Sequence, residues 1–344
     1  MYQKQRLLPS ASLALALLAL LSLLIGCGGG GAGGQRRYVS VDTQQEFTVV
    51  LLPDTQYYSQ EGHGASMEMF YAQTRWIAAN EDKENIRAVV GLGDIVQCGQ
   101  DRRQWQNARD AYSALDDAGI PYVPTIGNHD YDGRCGGMNE GRSARNYNSY
   151  FGPRVMADRP GYGDSNFPEG SNENFYVTFN GAGRKYLVLA LEFYPRDAAL
   201  RWAQQVLSRF SDHEVIVATH SCVDHGNTFV EAGDTRGPRD YGLKDGNSGR
   251  QLFEKLVRKN RNVIMVVNGH IQGVGRLARK NDDGRMVPHM LSNFQGYPRG
   301  GQGYLRRLKF RPATGEIQVS TYSPYLEKSL TDRKNQFTLK YEHR

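Results

Sequence analysis

Five apolar runs in this chain each stop at a short polar motif, and that repetition constrains the fold more than any other feature. Residues 47–52 run into Asp54-Thr55-Gln56, residues 88–92 into Gly93-Asp94, and residues 122–126 into Gly127-Asn128-His129-Asp130. Residues 215–218 run into Thr219-His220, and residues 263–267 into Gly269-His270-Ile271-Gln272. Short apolar runs bounded by turn residues read as buried strands. In open α/β sheets, ligands gather where strands give out at their carboxyl ends. Carboxylates, amide oxygens and imidazoles brought together there are metal ligands. Glycines before Asp94, Asn128 and His270 allow tight turns and close backbone approach.

The segments between these runs alternate with them. Met67, Phe70, Tyr71, Thr74 and Ile77 recur at helical spacing and predict a helix over 67–80. Trp105, Ala108, Tyr112 and Leu115 predict a second, stopped by Gly119 with Pro121 behind it. Residues 175–179 and 186–191 flank Asn180-Gly181-Ala182-Gly183 and read as a hairpin. Helices are expected over 198–210 and 250–259, and short strands over 274–277, 287–291, 304–310 and 317–322. Such a βαβα pattern with a late β-rich portion predicts an α/β fold, a four-layer αββα sandwich of two mixed β-sheets flanked by helices. Two polar stretches, 131–174 and 226–247, read as long loops, which in compact domains are usually functional or disordered.

The five motifs, in this order, resemble those of the calcineurin-like metallophosphoesterase superfamily: Asp-x-His, Gly-Asp, Gly-Asn-His, a lone His, and Gly-His-x-His. The resemblance covers roughly residues 47–322. It implies metal-dependent hydrolysis of phosphate monoesters or diesters by a metal-activated hydroxide, with one or two divalent ions (Mn, Fe, Zn, Mg or Ca). Asp94 would bridge both metals, and Asn128, His220 and His270 would complete one site. Asp54, Gln56 and Gln272 would hold the other. His129 would bind no metal and would donate a proton or hydrogen bond to the phosphate, oriented by Asp130. The chain departs from the family at Gln56 and Gln272, where the family has histidines. Both departures fall on one site and make it all oxygen, which favours harder ions over Zn²⁺. Arg145, Asn148 and His225, in loops near the motifs, are candidate phosphate contacts.

The N-terminus carries an address. Lys4 and Arg6 precede an apolar run of Leu and Ala over 13–25, too short for a spanning helix, and residues 1–26 read as a signal peptide. Leu24-Ile25-Gly26-Cys27 resembles the lipobox of bacterial lipoproteins, which implies cleavage before Cys27 and acylation of its thiol. Residues 28–34 are glycine except Ala32, so 27–45 reads as a lipidated cysteine and flexible tether ahead of one domain over 46–344. The expected location is the bacterial cell envelope, lipid-anchored and facing the periplasm or the surface, with the membrane reached through the N-terminal lipid. An exported compartment permits disulfides, and Cys98 with Cys135, shortly after Asp94 and His129, form the suspected pair. Cys222 reads as a small buried residue.

A formal net charge of +6 suits an anionic substrate, a phosphorylated small molecule or macromolecule, but the basic residues are scattered and form no nucleic-acid stripe. Trp76, Trp105 and Trp202 fall on helical apolar faces and read as core, while His63, His213 and His289 have no partner motif. Two rival functions stand beside phosphoester hydrolysis: a surface lipoprotein that uses the fold as a binding module, and a protein phosphatase. Gln56 and Gln272 favour the first, and the retained His129 opposes it.

Overall fold

In the computed structural model the described residues are 45–133, 135, 138 and 141–342. The segment expected as a signal peptide, Cys27 and the glycine run fall outside them. Among the described residues, the strands are β1 (Phe47–Leu52), β2 (Ile86–Gly91), β3 (Tyr122–Pro124), β4 (Phe175–Gly181), β5 (Arg184–Leu191), β6 (Glu214–Thr219), β7 (Val263–Asn268), β8 (Gly273–Lys280), β9 (Met286–Asn293), β10 (Leu305–Arg311), β11 (Glu316–Ser323), β12 (Lys328–Leu330) and β13 (Phe337–Lys340). They form a seven-stranded sheet ordered β12-β11-β10-β1-β2-β3, with β13 also on β11, and a six-stranded sheet ordered β4-β5-β6-β7-β9-β8.

Both sheets are mixed. β1, β2 and β3 run parallel, as do β5, β6 and β7, while β10 and β4 pair antiparallel to β1 and β5. β1 is buried along its whole length because both of its faces are covered. Its alternate residues Phe47, Val49 and Leu51 meet Tyr186, Val188, Ile216 and Met265 of the other sheet between the two layers. Val50 and Leu52 point the opposite way, into the layer that holds Phe70, Ile77, Trp105, Tyr112 and Leu115 from helices Met67–Ala79 and Arg102–Ala118. On the far side, Leu187, Leu189 and Val217 pack with Leu200, Ala203 and Leu207 of helix Asp197–Arg209. The result is the four-layer αββα sandwich.

The stretch 131–174 is not irregular throughout. Arg145–Phe151 and Pro153–Met156 are helical, anchored by buried Tyr147, Phe151 and Met156. One apolar pair at i, i+4 among Asn, Ser and Arg is too weak a period to read as a helix. β12 and β13 are similarly absent from the apolar pattern, because each is an edge strand with exposed positions. Helix 250–259 is shorter than expected, Gly249–Lys255 followed by a 3₁₀ turn. No helix among the described residues is long and apolar enough to cross a membrane.

Candidate metal centre

Five polar side chains converge because five strands end at the same edge of the sandwich. Asp54 follows β1, Asp94 follows β2, Asn128 follows β3, His220 follows β6 and His270 follows β7. One ligand atom from each of Asp94, His220 and His270 lies within 4.8 Å of the others, and all three are buried. Asn128 and His129 line the same cavity of about 210 Å³ as Asp94 and His270.

The backbone is bent to make this possible. Gly93 and Asp94 both take left-handed conformations, with φ of +95° and +50°, and His270 has φ of +73°. Such conformations are costly for residues with a Cβ and persist where surrounding bonds over-determine them. Here Asp94 Oδ1 accepts the His129 N–H at 3.0 Å, and the His270 N–H donates to Asp54 at 3.2 Å. At Gly93 a Cβ would collide with the His220 ring, and at Gly127 with the Asp94 carboxylate. These two glycines allow the motif loops to close on one another.

The donor atoms left over fit a cation. His220 Nδ1 is 2.7 Å from the Leu92 carbonyl, so that nitrogen carries the proton and donates it there. His220 Nε2 then faces Asp94 Oδ2 at 3.1 Å without hydrogen-bond geometry, two acceptors turned toward one another. Asn128 Oδ1, Gln56 Oε1 and Gln295 Oε1 are also buried with no hydrogen-bond partner. Buried acceptors without donors cost free energy unless a proton or cation satisfies them. Carboxylate, amide oxygen and imidazole together are the donor set of a borderline-to-hard divalent ion.

Electrostatics point the same way. Burial pushes the Asp54 carboxyl above the usual carboxylate range, against the pull of His220. Burial also opposes the Asp94 charge, but the His220 and His129 charges outweigh it and hold Asp94 well below its ordinary value. Burial disfavours the His220 cation, yet Asp94 outweighs it and raises that imidazole to about 9, so without a metal ion a second proton takes the place between Nε2 and Asp94 Oδ2. Burial, then the His220 charge, hold His270 well below the histidine range.

The other expected residues divide. Gln56 is buried at the site, its Nε2 donating to Gln97 Oε1 at 3.0 Å so that Oε1 is the free atom. Gln272 is exposed and lines the cavity. Asp54 accepts from Asn293 Nδ2 at 2.7 Å as well as from His270. His129 Nδ1 bonds the Gln97 carbonyl at 3.0 Å, and its Nε2 lies 4.0 Å from Asp94 Oδ2. Asp130 does not orient His129. Its carboxylate is spent on the backbone N–H groups of Ile95, Val96 and Gly127, at 2.8, 3.0 and 2.7 Å, tying two motif loops together.

None of the three expected phosphate contacts lines this cavity. The Arg145 side chain is 88% exposed and pairs with Asp132 at 3.4 Å. Asn148 is consumed by structure, bonding the Ala144 carbonyl, Ser171 and the Asn172 N–H. His225 lies in a different cavity with Arg276 and Arg306. Cys98 and Cys135 are joined in a disulfide, and Cys222 is buried and free.

Sequence reading missed several residues here. Tyr57, Arg236, Tyr241 and Gln295 line the cavity, and Tyr241 Oη lies 3.2 Å from His270 Nε2. The Arg236 guanidinium makes no hydrogen bond or ion pair with any described residue, while its backbone carbonyl accepts from Tyr194 Oη. Asn293 and Gln295 had a signal: the apolar run of β9 also ends in a polar motif, Ser292-Asn293. Arg236 and Tyr241 had none, because they sit in a polar loop without periodicity.

The calcineurin-like phosphoesterase family model matches residues 47–273. Uncharacterized protein YvnB of Bacillus subtilis (strain 168) is 35% identical over 290 residues, which is 82% of this chain and 20% of that protein. The chain thus spans about a fifth of the length of that relative. Among solved structures, a dimetal phosphatase from Danio rerio superposes with a TM-score of 0.53 at 14% identity, over 86% of this chain and 99% of that one. Purple acid phosphatase PPD1 from yellow lupin superposes with a TM-score of 0.52 at 13% identity, over 86% of this chain and 54% of that one. At these identities the two structures speak for the fold, while the family model covers the strand-end motifs themselves. The chain belongs to the calcineurin-like phosphoesterase family.

Proposed function

We propose that this chain hydrolyses phosphate esters outside the cytoplasm, with Asp94, Asn128, His220 and His270 holding the principal divalent ion and His129 acting on the substrate without binding metal. The observation that carries the reading is the set of buried acceptors without donors, His220 Nε2 facing Asp94 Oδ2 and Asn128 Oδ1 alone beside them. Asp54 and Gln56, with Gln272 and Gln295 at the cavity wall, supply oxygen atoms for a second, harder ion. When bound, such ions polarise a phosphoryl oxygen and activate water as a nucleophile.

The chain's own residues then have distinct tasks. His129, with Nδ1 fixed by the Gln97 carbonyl, presents Nε2 for protonating the leaving oxygen. The unpaired Arg236 guanidinium offers charge-assisted hydrogen bonds to a phosphoryl group in the cavity. Tyr241 fixes His270 through its second ring nitrogen, as outer partners of ligating histidines do. The test is a panel of phosphomonoesters and diesters assayed with Mn²⁺, Mg²⁺, Ca²⁺ and Zn²⁺ after chelation. Turnover that requires a divalent ion supports the reading, and metal-independent turnover, or none on any ester, contradicts it.

The location rests on the N-terminal sequence: the basic residues, the apolar run, Leu24-Ile25-Gly26-Cys27 and the glycine tether. The mature chain begins at an acylated Cys27 and meets the membrane through that lipid. Mass spectrometry of the mature N-terminus decides this. A different first residue without lipid removes the anchor and leaves the phosphoesterase reading intact.

A further inference from the structure

A second cavity, of about 200 Å³, opens beside the start of β8 and is lined by His225, Arg276, Arg306, Lys334 and Phe337, with no Asp or Glu in its wall. Arg306 is its base. Only 1% of Arg306 is exposed, yet no carboxylate among the described residues pairs with it. Nε donates to Thr321 Oγ1 at 3.2 Å, and Nη2 donates to the Lys334 carbonyl at 3.2 Å and to Asn335 Oδ1 at 3.0 Å. Nη1 has no partner among the described residues. Asp332 is the carboxylate whose charge reaches Arg306, but it is already held by Asn335 Nδ2 at 2.8 Å and the Lys334 N–H at 2.9 Å.

A buried guanidinium is normally paired, because neutral oxygen acceptors do not repay the loss of hydration around a full charge. Burial accordingly pulls Arg306 down to about 9. The surroundings add more positive charge instead of cancelling it. Arg276 is exposed and lies 4.5 Å from the centre of the Phe337 ring, and Arg306 lies 5.8 Å from the same centre. Neither the Arg276 guanidinium nor the Lys334 ammonium makes an ion pair among the described residues. Phe337 lies against both guanidiniums, and Phe294 against that of Arg306 at 5.6 Å, and aromatic rings hold cations without neutralising them. Planar guanidinium forks with a nearby ammonium match the geometry of a phosphoryl oxyanion.

We propose that this cavity is a second oxyanion site, distinct from the metal centre, that takes a phosphoryl group through Arg306, Arg276 and Lys334. Two sources share that chemistry, a soluble phosphate compound and the headgroup of an anionic lipid. Gln272 of the metal-centre cavity and Arg276 are four residues apart in the sequence, so one wall residue of each site lies within about 13 Å of the other along the strand. Binding at the second site must therefore be read with the metal centre stripped.

The experiment titrates inorganic phosphate into chelator-treated full-length protein at constant ionic strength, by calorimetry. Wild type is compared with Arg276→Ala/Lys334→Ala, both exposed positions, and with Lys185→Ala/Arg261→Ala, exposed positions at a different cavity whose wall also carries Asp212 and Glu214, as the matched control. The expected result is saturable binding in wild type and control, weakened roughly tenfold or more in the first double variant. Equal affinity in all three, or no saturable binding in wild type, overturns the site. Co-sedimentation with phosphatidylglycerol against phosphatidylcholine vesicles then separates the sources. A preference for phosphatidylglycerol over phosphatidylcholine that depends on Arg276 and Lys334 supports the site with a lipid headgroup as ligand, and phosphate binding without that preference supports it with a soluble one.

Discussion

His129 Nδ1 lies 3.0 Å from the carbonyl oxygen of Gln97, so the loop after β2 fixes the ring of a residue carried by the loop after β3. A carbonyl accepts only, so Nδ1 keeps a proton in either charge state of the ring, and Nε2 is the atom that faces substrate and, when it too carries a proton, donates it. His129→Ala should lower turnover by roughly 10²–10⁴-fold while leaving bound metal in place. Nitrophenyl esters, which need little protonation on leaving, should lose less than alkyl phosphates. Equal losses on both would remove His129 from the proton-donor role.

Asp130 accepts from three backbone N–H groups across the same two loops. Asp130→Ala leaves all three buried and unpaired. Stability should fall by roughly 2–5 kcal/mol, read as a shift in denaturation midpoint, since each orphaned buried donor costs on the order of 1–3 kcal/mol before relaxation. A variant as stable as wild type would show that water or backbone movement satisfies the loops.

Arg236 and Arg145 make a matched pair of arginines with opposite expected roles. Arg236 lines the metal-centre cavity with its guanidinium unengaged, and Arg145 is exposed against Asp132 outside it. Arg236→Ala should lower kcat/KM by about 10–100-fold, mainly through KM, as loss of charge-assisted phosphate contacts predicts. Arg145→Ala should leave steady-state kinetics unchanged. The reverse order would restore the sequence-based expectation for Arg145.

Glu173 supplies a pH test away from the metal. Burial raises its carboxyl to about 7, opposed by a backbone hydrogen bond and helped by Glu192. A carboxyl raised on folding contributes stability below its unfolded value, near 4.3, and loses it as pH climbs through the folded value. Wild type should therefore lose up to about 3 kcal/mol from this group between about pH 4 and 7. In Glu173→Gln that loss disappears, so the variant's advantage in melting temperature should grow across this window and then level off. A constant difference at all pH values would mean the carboxyl stays ionised.

Much of this site was legible before any coordinates, for a physical reason. Asp54, Asp94, Asn128, His220 and His270 each follow a strand buried on both faces, so each announces itself as a polar break in an apolar run. The parallel order of those strands then carries the breaks to one edge. What could not be read was everything without a period. Arg236 and Tyr241 come from a polar loop of turns, and the Gln97 contact that aims His129 uses a backbone carbonyl that any residue possesses. Nearness in sequence misled at Asp130, whose carboxylate turns back onto backbone instead of its neighbour, and at Asn148, which is a peg between loops. His225 stands near a motif strand but faces the second cavity.

The central claim, that Asp94, Asn128, His220 and His270 hold metal while His129 does not, is best tested by measuring metal stoichiometry and turnover on the same preparations. Wild type, His270→Ala and His129→Ala would be purified together, reconstituted with Mn²⁺, and analysed by elemental mass spectrometry and a phosphate-release assay. The account predicts that His270→Ala loses metal and activity together, while His129→Ala keeps the wild-type metal content and loses turnover. Full metal occupancy and activity in His270→Ala would contradict it.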